Sequence, residues 1–510
     1  MDPGAGVARL NVNVEKGAIL MANAHTQAAH SGFRLLSDAQ LDEIHMASLE
    51  ILRRTGVRVH DAEAVALLGD GGCPVSEGNL VRFPAAVVED ALRAAPARVV
   101  LCDRTGEPRL HLEGERVYFG TGSDLPYTRD LESSERRPSR LADVGAAARL
   151  ADALPNLDFV MSMALPSDVP TLTSDRHSFA AMLENTRKPL VFTAWDEAGL
   201  ADISTMAETV AGSAEQLALD PFLLIYLEPT SPLQHSRTAV RKLLLMAERG
   251  LPLVYAPAPV EGASAPVTSA GSLALANAEV LSGLVMAQLR RKGTPFVWGS
   301  GSGPLDMRTM VHAYGAPECM LHCMAMAELA HRYYHLPVWG FAGCSDAITA
   351  DIQAGIESAL WILWAALSGA NLVHDVGYIE AGLTCSLELM VICDEIISLV
   401  RRLMRGLELT SETLALELIH AVGPGGDYLG QAHTRNHFRE VWYPRVFERR
   451  AYVTWAEAGQ PTAVSKAREI ARQAIATHVP PPLAPSVAET LRAILAEADA
   501  RAGLAPSEQG

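Results

Sequence analysis

The sequence predicts an α/β fold: a (β/α)8 TIM barrel with an N-terminal α/β layer and a C-terminal helical extension. Three observations lead there. Short apolar runs alternate with Ala-, Leu- and Glu-rich stretches over roughly 260 residues, the length of one eightfold barrel. Those runs are apolar nearly throughout, as in parallel strands covered on both faces. No G-x-G-x-x-G follows the first strand candidate, which weakens the structural alternative, a doubly wound dinucleotide-binding sheet.

Residues 1–30, rich in Gly, Ala and Asn, read as a disordered tail, with no basic segment leading into an apolar run as in a signal peptide. Residues 31–115 form a mixed layer over the barrel. Its first helix is opened by Ser37, carries Leu41, Ile44, Ala47, Leu49 and Leu52 at helical spacing, and is stopped by Gly56. The barrel spans 116–390. Its strand candidates are Val117–Gly120, Phe159–Met163, Leu190–Thr193, Phe222–Tyr226, Leu253–Ala256, Phe296–Trp298, Val338–Phe341 and Asn371–His374. Between them lie crossover helices such as Leu141–Ala153, Arg237–Arg249 and Asp351–Leu367. Residues 391–510 are a helical extension, with Pro480-Pro481-Pro482 as a linker.

Composition bounds the function. The chain has 510 residues, 49% hydrophobic and 20% charged, enough for a sizeable core. Its net charge of -17 disfavours nucleic acid, which needs a basic face. It suits a cationic small ligand, and equally an acidic protein kept soluble by its charge. Seven scattered cysteines indicate reduced, cytoplasmic usage. The most apolar window, Ile356–Val373, contains Glu357, Ser358 and Asn371, and reads as a buried helix entering a strand rather than a membrane span.

Active sites of such barrels sit at the C-terminal strand ends. Here those ends supply Asp124, Asp168, Asp196, Glu228, Glu261, Asp306, Asp346 and Asp375, with Tyr127, Trp195, Tyr226, Tyr255, Trp298, Trp339, Phe341 and Tyr378 close by. Acids and π-faces together attract a cation whose charge is spread over methyl groups. The bland alternative has solvated loop acids and aromatics filling the core. Gly340–Glu357 runs from a strand through a glycine turn into a helix, where Ser345 or Asp346 is placed to cap and Asp351 lies near the first turn. His374 ends the last strand and is placed to donate to a carboxylate. Cys319-x-x-His322-Cys323 has a spacing that can bind zinc, but buried small residues explain it better; no metal is expected.

Four motifs occur in order: Gly120-x-Gly122-x-x-x-Pro126 with Ser139-Arg140-x-x-Asp143; Ala276-Asn277-x-Glu279; Ser345-Asp346 with Asp351-x-Gln353-Ala-Gly-x-Glu357; and Gly423-x-Gly425-Gly426 with His433-Thr434. Over roughly residues 35–480 the sequence resembles the trimethylamine methyltransferase family. The resemblance implies a (β/α)8 barrel, a methylated amine donor, and a separate corrinoid protein whose Co(I) accepts the methyl, with no tightly bound cofactor. It also implies a homo-oligomer. Founding members carry pyrrolysine; this chain has only the ordinary twenty residue types, which fits the branch acting on quaternary amines such as glycine betaine. Other donors (carnitine, γ-butyrobetaine, proline betaine, a sulfonium, trimethylamine) and a non-catalytic binding barrel are the alternatives. Asp346, Asp351 and Gln353 carry over as catalytic-site residues. Trp195, Tyr226, Trp298 and Phe341 are expected to cage the cation; His374, with Asn277, His433 or Thr434, is expected to hold the donor's carboxylate.

Overall fold

The computed structural model describes residues 33–503; the expected N-terminal tail lies outside them. Among the described residues, Leu399–Tyr443 forms one compact unit, and Phe33–Ser398 with the chain from Pro444 onward forms the other. The division does not follow the single 391–510 extension expected from sequence.

The larger unit begins with α1 (Asp38–Glu50), which starts where Ser37 and Gln40 cap each other reciprocally. A hairpin of β1 (Val99–Cys102) and β2 (Pro108–Leu112) precedes β3 (Tyr118–Phe119). Strands and helices then alternate: α2 (Leu141–Ala153), α3 (Ser174–Asn185), β4 (Leu190–Phe192), α4 (Glu197–Ala211), β5 (Leu223–Leu227), α5 (Arg237–Arg249), β6 (Leu253–Tyr255), α6 (Ser269–Arg290), β7 (Phe296–Gly299), α7 (Pro317–Glu328), β8 (Val338–Phe341), α8 (Ile352–Ser368) and β9 (Leu372–His374). Side-chain caps start α4, α5 and α8 at Asp196, Ser236 and Asp351, and left-handed glycines end them at Gly212, Gly250 and Gly369.

The seven strands from β3 to β9 form one parallel sheet in the order β3-β9-β8-β7-β6-β5-β4. Phe159 pairs with Gly120 beyond β3 and Val160 pairs with Leu190 of β4, so this segment touches both edges of the sheet. Trp339 lies opposite Leu372, Phe341 opposite His374, and Tyr226 opposite Val254.

Pleating decides what each residue faces, because side chains alternate along a strand and residues in register share a face. One face carries Val191, Leu224, Val254, Ala256, Val297, Trp339 and Leu372, and together with Phe159 and Met161 these pack against Val99, Leu101, Leu110 and Leu112 of the β1–β2 hairpin. Each large side chain so buried contributes about 1.5–3 kcal/mol. The hairpin lies by the N-terminal strand ends, where Cys102 N–H donates to Pro221 C=O, just ahead of β5. This is the inner face. The back face carries the intervening residues, including Tyr255 and Trp298, against helices. Among those helices α6 is long and apolar enough to cross a membrane, yet 89% of its apolar window is buried within the protein.

Candidate functional site

The inner-face pattern continues past the strand ends, and those continuations build the site. On β5 the series Leu224, Tyr226, Glu228 brings a phenol and then a carboxyl to the C-terminal rim; on β8 and β9 the series ends in Phe341 and His374. Trp339 stacks on His374 with ring centroids 4.3 Å apart. Tyr226 lies 5.4 Å from Trp339 and 5.9 Å from His374, and Phe341 lies 6.0 Å from His374. Tyr314, from the long segment after β7, completes the series edge-on to Phe341 at 5.7 Å.

Three acids surround this aromatic floor. Asp375 follows His374, and its Oδ1 lies 2.5 Å from His374 Nδ1, without the alignment of a hydrogen bond. Burial raises the pKa of Tyr226, Glu228, Tyr314 and Tyr378, and the Asp375 charge adds to each rise. Glu228 accepts from the Tyr226 hydroxyl. Glu228 is exposed where it borders the cavity, and the protein packed around the rest of it raises its carboxyl pKa; the Tyr226 hydrogen bond and His374 oppose that rise, and Asp124 and Asp375 add to it. Asp124 is likewise raised by burial while accepting from Thr193 Oγ1 at 2.8 Å. Asp124 and Asp375 both adopt left-handed backbone, at φ 63° and 75°, unusual for residues other than glycine. Gly122 is required here: a Cβ at that position would collide with the Tyr378 hydroxyl and Asp375 Oδ1.

Beside the aromatics lies a cavity of about 420 Å³, lined by Asp124, Thr193, Trp195, Tyr226, Glu228 and Lys242 among others. That is within the size of small-molecule sites. Trp195 is 48% exposed, its indole N–H held by Ser174 Oγ at 2.9 Å.

The segment 340–357 serves the site at one remove. Asp346 does not cap α8; its two carboxylate oxygens accept the amides of Tyr314 at 2.9 Å and Gly315 at 2.8 Å, so it fixes the Tyr314 loop. Asp351 is the cap, accepting from Gln353 N and Ala354 N. Gln353 Nε2 donates to Glu357 Oε1 at 2.9 Å, and Glu357 Oε2 accepts from Ser345 Oγ at 2.5 Å and Asp346 N at 2.9 Å.

Two expected residues stand elsewhere, and each for a physical reason. Trp298 is fully buried on the back face, 4.8 Å from Tyr334, because it falls between Val297 and Gly299 in the strand alternation. Asn277 is fully buried on α6, its amide donating to Ser48 Oγ at 2.9 Å and the Tyr334 hydroxyl at 2.8 Å. Both are packing residues. His433 and Thr434 belong to the Leu399–Tyr443 unit, where His433 Nε2 bonds Glu412 C=O at 3.2 Å and Thr434 Oγ1 donates to Tyr428 C=O at 2.6 Å. Cys319, His322 and Cys323 are held by the Ser300–Ser302 strand end, and among the described residues no group of three or more metal-ligating side chains converges.

Sequence reasoning placed Asp124, Glu228 and Asp375 at the strand ends without selecting them. Counting in twos from Tyr226 would have singled out Glu228. Lys242, mid-helix on α5, and Tyr314, in a long connection, had no such signal.

Residues 10–503 match the family model described as trimethylamine methyltransferase (MTTB). The chain is 32% identical over 484 residues to trimethylamine methyltransferase MttB of Desulfitobacterium hafniense DCB-2, covering 93% of this chain and 96% of that protein. It is 33% identical over 470 residues to glycine betaine methyltransferase of Desulfitobacterium hafniense Y51, covering 91% and 97%. The crystal structure of the hydroxylamine MtmB complex superposes with a TM-score of 0.50 at 12% identity, covering 90% of this chain and 92% of the other, a likeness of fold. This chain belongs to the trimethylamine methyltransferase (MTTB) family.

Proposed function

We propose that the protein is a methyltransferase that moves a methyl group from a quaternary amine of the glycine betaine type to the Co(I) of a separate corrinoid protein. The observation that carries this reading is the aromatic floor of Tyr226, Trp339, His374, Phe341 and Tyr314 beside Asp124, Glu228 and Asp375. Clustered, desolvated carboxyls with few counter-cations favour a bound cation, and ring faces favour one with diffuse charge.

The chemistry asks little more. In-line attack by Co(I) takes the methyl carbon while the C–N bond electrons remain on nitrogen, which leaves as a neutral tertiary amine. No general acid is needed, consistent with a chain of ordinary residue types and no pyrrolysine. The residues' work is to orient the donor and exclude water. Tyr226, Phe341 and Trp195 are assigned to the ammonium end, with His374 and Asp375 at the floor. Asp346, Asp351, Gln353 and Glu357 are positioning residues acting through the Tyr314 loop.

We read the fold as a closed (β/α)8 barrel, with Phe159–Val160 as its eighth strand, in a cytoplasmic homo-oligomer. The test is spectroscopic. Mixing the protein with Co(I)alamin and a panel of quaternary amines should produce the methyl-Co(III) absorbance with at least one donor. Donor binding without methyl transfer to a cognate corrinoid protein would instead mark a binding barrel.

A further inference from the structure

We propose that the outward face of α8 is a self-complementary interface on which a second copy of this chain docks across a two-fold axis. The inference rests on the homo-oligomer reading above and adds the face and the symmetry through which the copies meet.

A helix on the outside of a sheet buries one stripe and turns a polar one to water. α5 follows that rule, with Arg237 and Glu248 exposed. α8 does not. Glu357 is its one charged residue, and that carboxylate is turned to Ser345 Oγ and Asp346 N. Ala354, Trp361, Ile362 and Ala365 are buried on its protein side. The opposite side carries Ile352, Ile356 and Leu360, which are 82%, 56% and 52% exposed. At i, i+4 spacing these form one ridge. Trp364 continues it, with Phe33 edge-on to its ring at 5.3 Å.

A second i, i+4 row, Gly355, Ala359 and Leu363, runs beside the ridge, and none of the three is buried. A Cβ built on Gly355 would meet nothing within 4 Å, so the groove between the rows is open there. A ridge flanked by an open groove on one helix suits an isologous contact, because each copy offers what the other needs. Two helices that interlock their i, i+4 ridges cross at about 50°.

Charge and position select the occupant. Two copies carrying -17 each repel over most of their surfaces, but along α8 no acid faces an acid. The helix leaves the C-terminal end of β8 and runs back along the flank for about 25 Å. A corrinoid partner reaching the strand-end rim would cover only its first turn. A second copy alongside covers its whole length, and an uncovered apolar stripe of that length marks an interaction surface.

The test uses the full chain. Light scattering should show wild type as an even-numbered oligomer, and Ile352→Lys with Ile356→Lys should halve its mass at unchanged circular dichroism. Ile356→Cys, near the middle of the ridge, should give an intermolecular crosslink with a short bismaleimide. Wild type, whose native cysteines are buried or half-buried, and Thr205→Cys on the exposed side of α4 should give none. Unchanged mass in folded lysine variants, or no crosslink above those controls, overturns the interface and leaves the homo-oligomer reading standing. Unchanged mass with loss of methyl transfer to a corrinoid protein overturns it too, and assigns the ridge to that partner. A monomeric wild type overturns the oligomer reading and this inference together.

Discussion

Tyr226 and Trp339 on one face of the sheet, and Tyr255 and Trp298 on the other, are the same residue types within a few ångströms of strand. Their surroundings differ completely. Trp339, itself buried, stacks on His374, and Tyr226 meets Glu228 along the wall of a cavity. Tyr255 is fully buried and bonds His235 Nδ1 at 2.6 Å, while Trp298 packs on Tyr334. An odd or even place in the strand therefore decides whether an aromatic ring meets the inner face or the helices. On the proposed reading, recognition falls to the C-terminal rim of the inner face, while the back face only packs.

That division can be broken. Trp298→Ala should show the largest effect, a loss of about 3–5 kcal/mol in denaturant unfolding, with donor affinity of the folded fraction preserved. A collapse of affinity at preserved stability would place Trp298 in the cage after all.

Acid titration separates the two faces. Behind the sheet, burial raises the Glu279 carboxyl from 4.5 to about 7 while it accepts from Leu233 N and Ser231 Oγ. The folded state then holds a proton that the unfolded state has released. Its stabilisation is full below pH 4.5 and is lost as pH rises through about 7, about 3 kcal/mol in all. Glu279→Gln should flatten stability over that window. On the inner face Asp124 and Glu228 are also raised, so donor affinity should fall on acidification, beginning above the ordinary carboxylate range. Stability and affinity thus move in opposite directions with pH, and parallel curves would contradict the assignment.

Tyr226→Leu removes one ring at nearly constant bulk. A lost face over a desolvated cation costs about 2 kcal/mol, or about thirtyfold in kcat/KM, with a small change in unfolding midpoint. Asp346→Asn is the mildest. One of the two amides at Tyr314 and Gly315 loses its acceptor, costing about 1 kcal/mol, and kcat should fall several-fold if Tyr314 is loosened. Unchanged kcat would detach the 340–357 segment from the site.

Much of the fold was legible because periodicity is a local signal. The helices at Leu141–Ala153 and Arg237–Arg249 end where the sequence predicts. Phe159–Met163 was expected as a full strand, but only Phe159 and Val160 make bridges, and Met163 turns to φ 61°. Tyr226, Phe341 and His374 were readable because they sit at strand ends. Trp298 was misplaced because its neighbourhood in sequence resembles theirs and only the register with Val338 and Trp339 fixes its face. Asn277 was taken from a motif, and a motif does not say whether a residue meets ligand or holds two helices together. Lys242 and Tyr314 reach the site through tertiary packing, which no local pattern encodes.

The hairpin of β1 and β2 has a kinetic corollary. By packing the inner face at the N-terminal strand ends, it leaves the opposite rim, where the cavity lies, as the way in for a donor on the proposed reading. On that reading donor, spent amine and the cobalt nucleophile share one rim. If the acceptor docks over it, turnover is expected to be ordered: donor in, acceptor on, acceptor off, amine out.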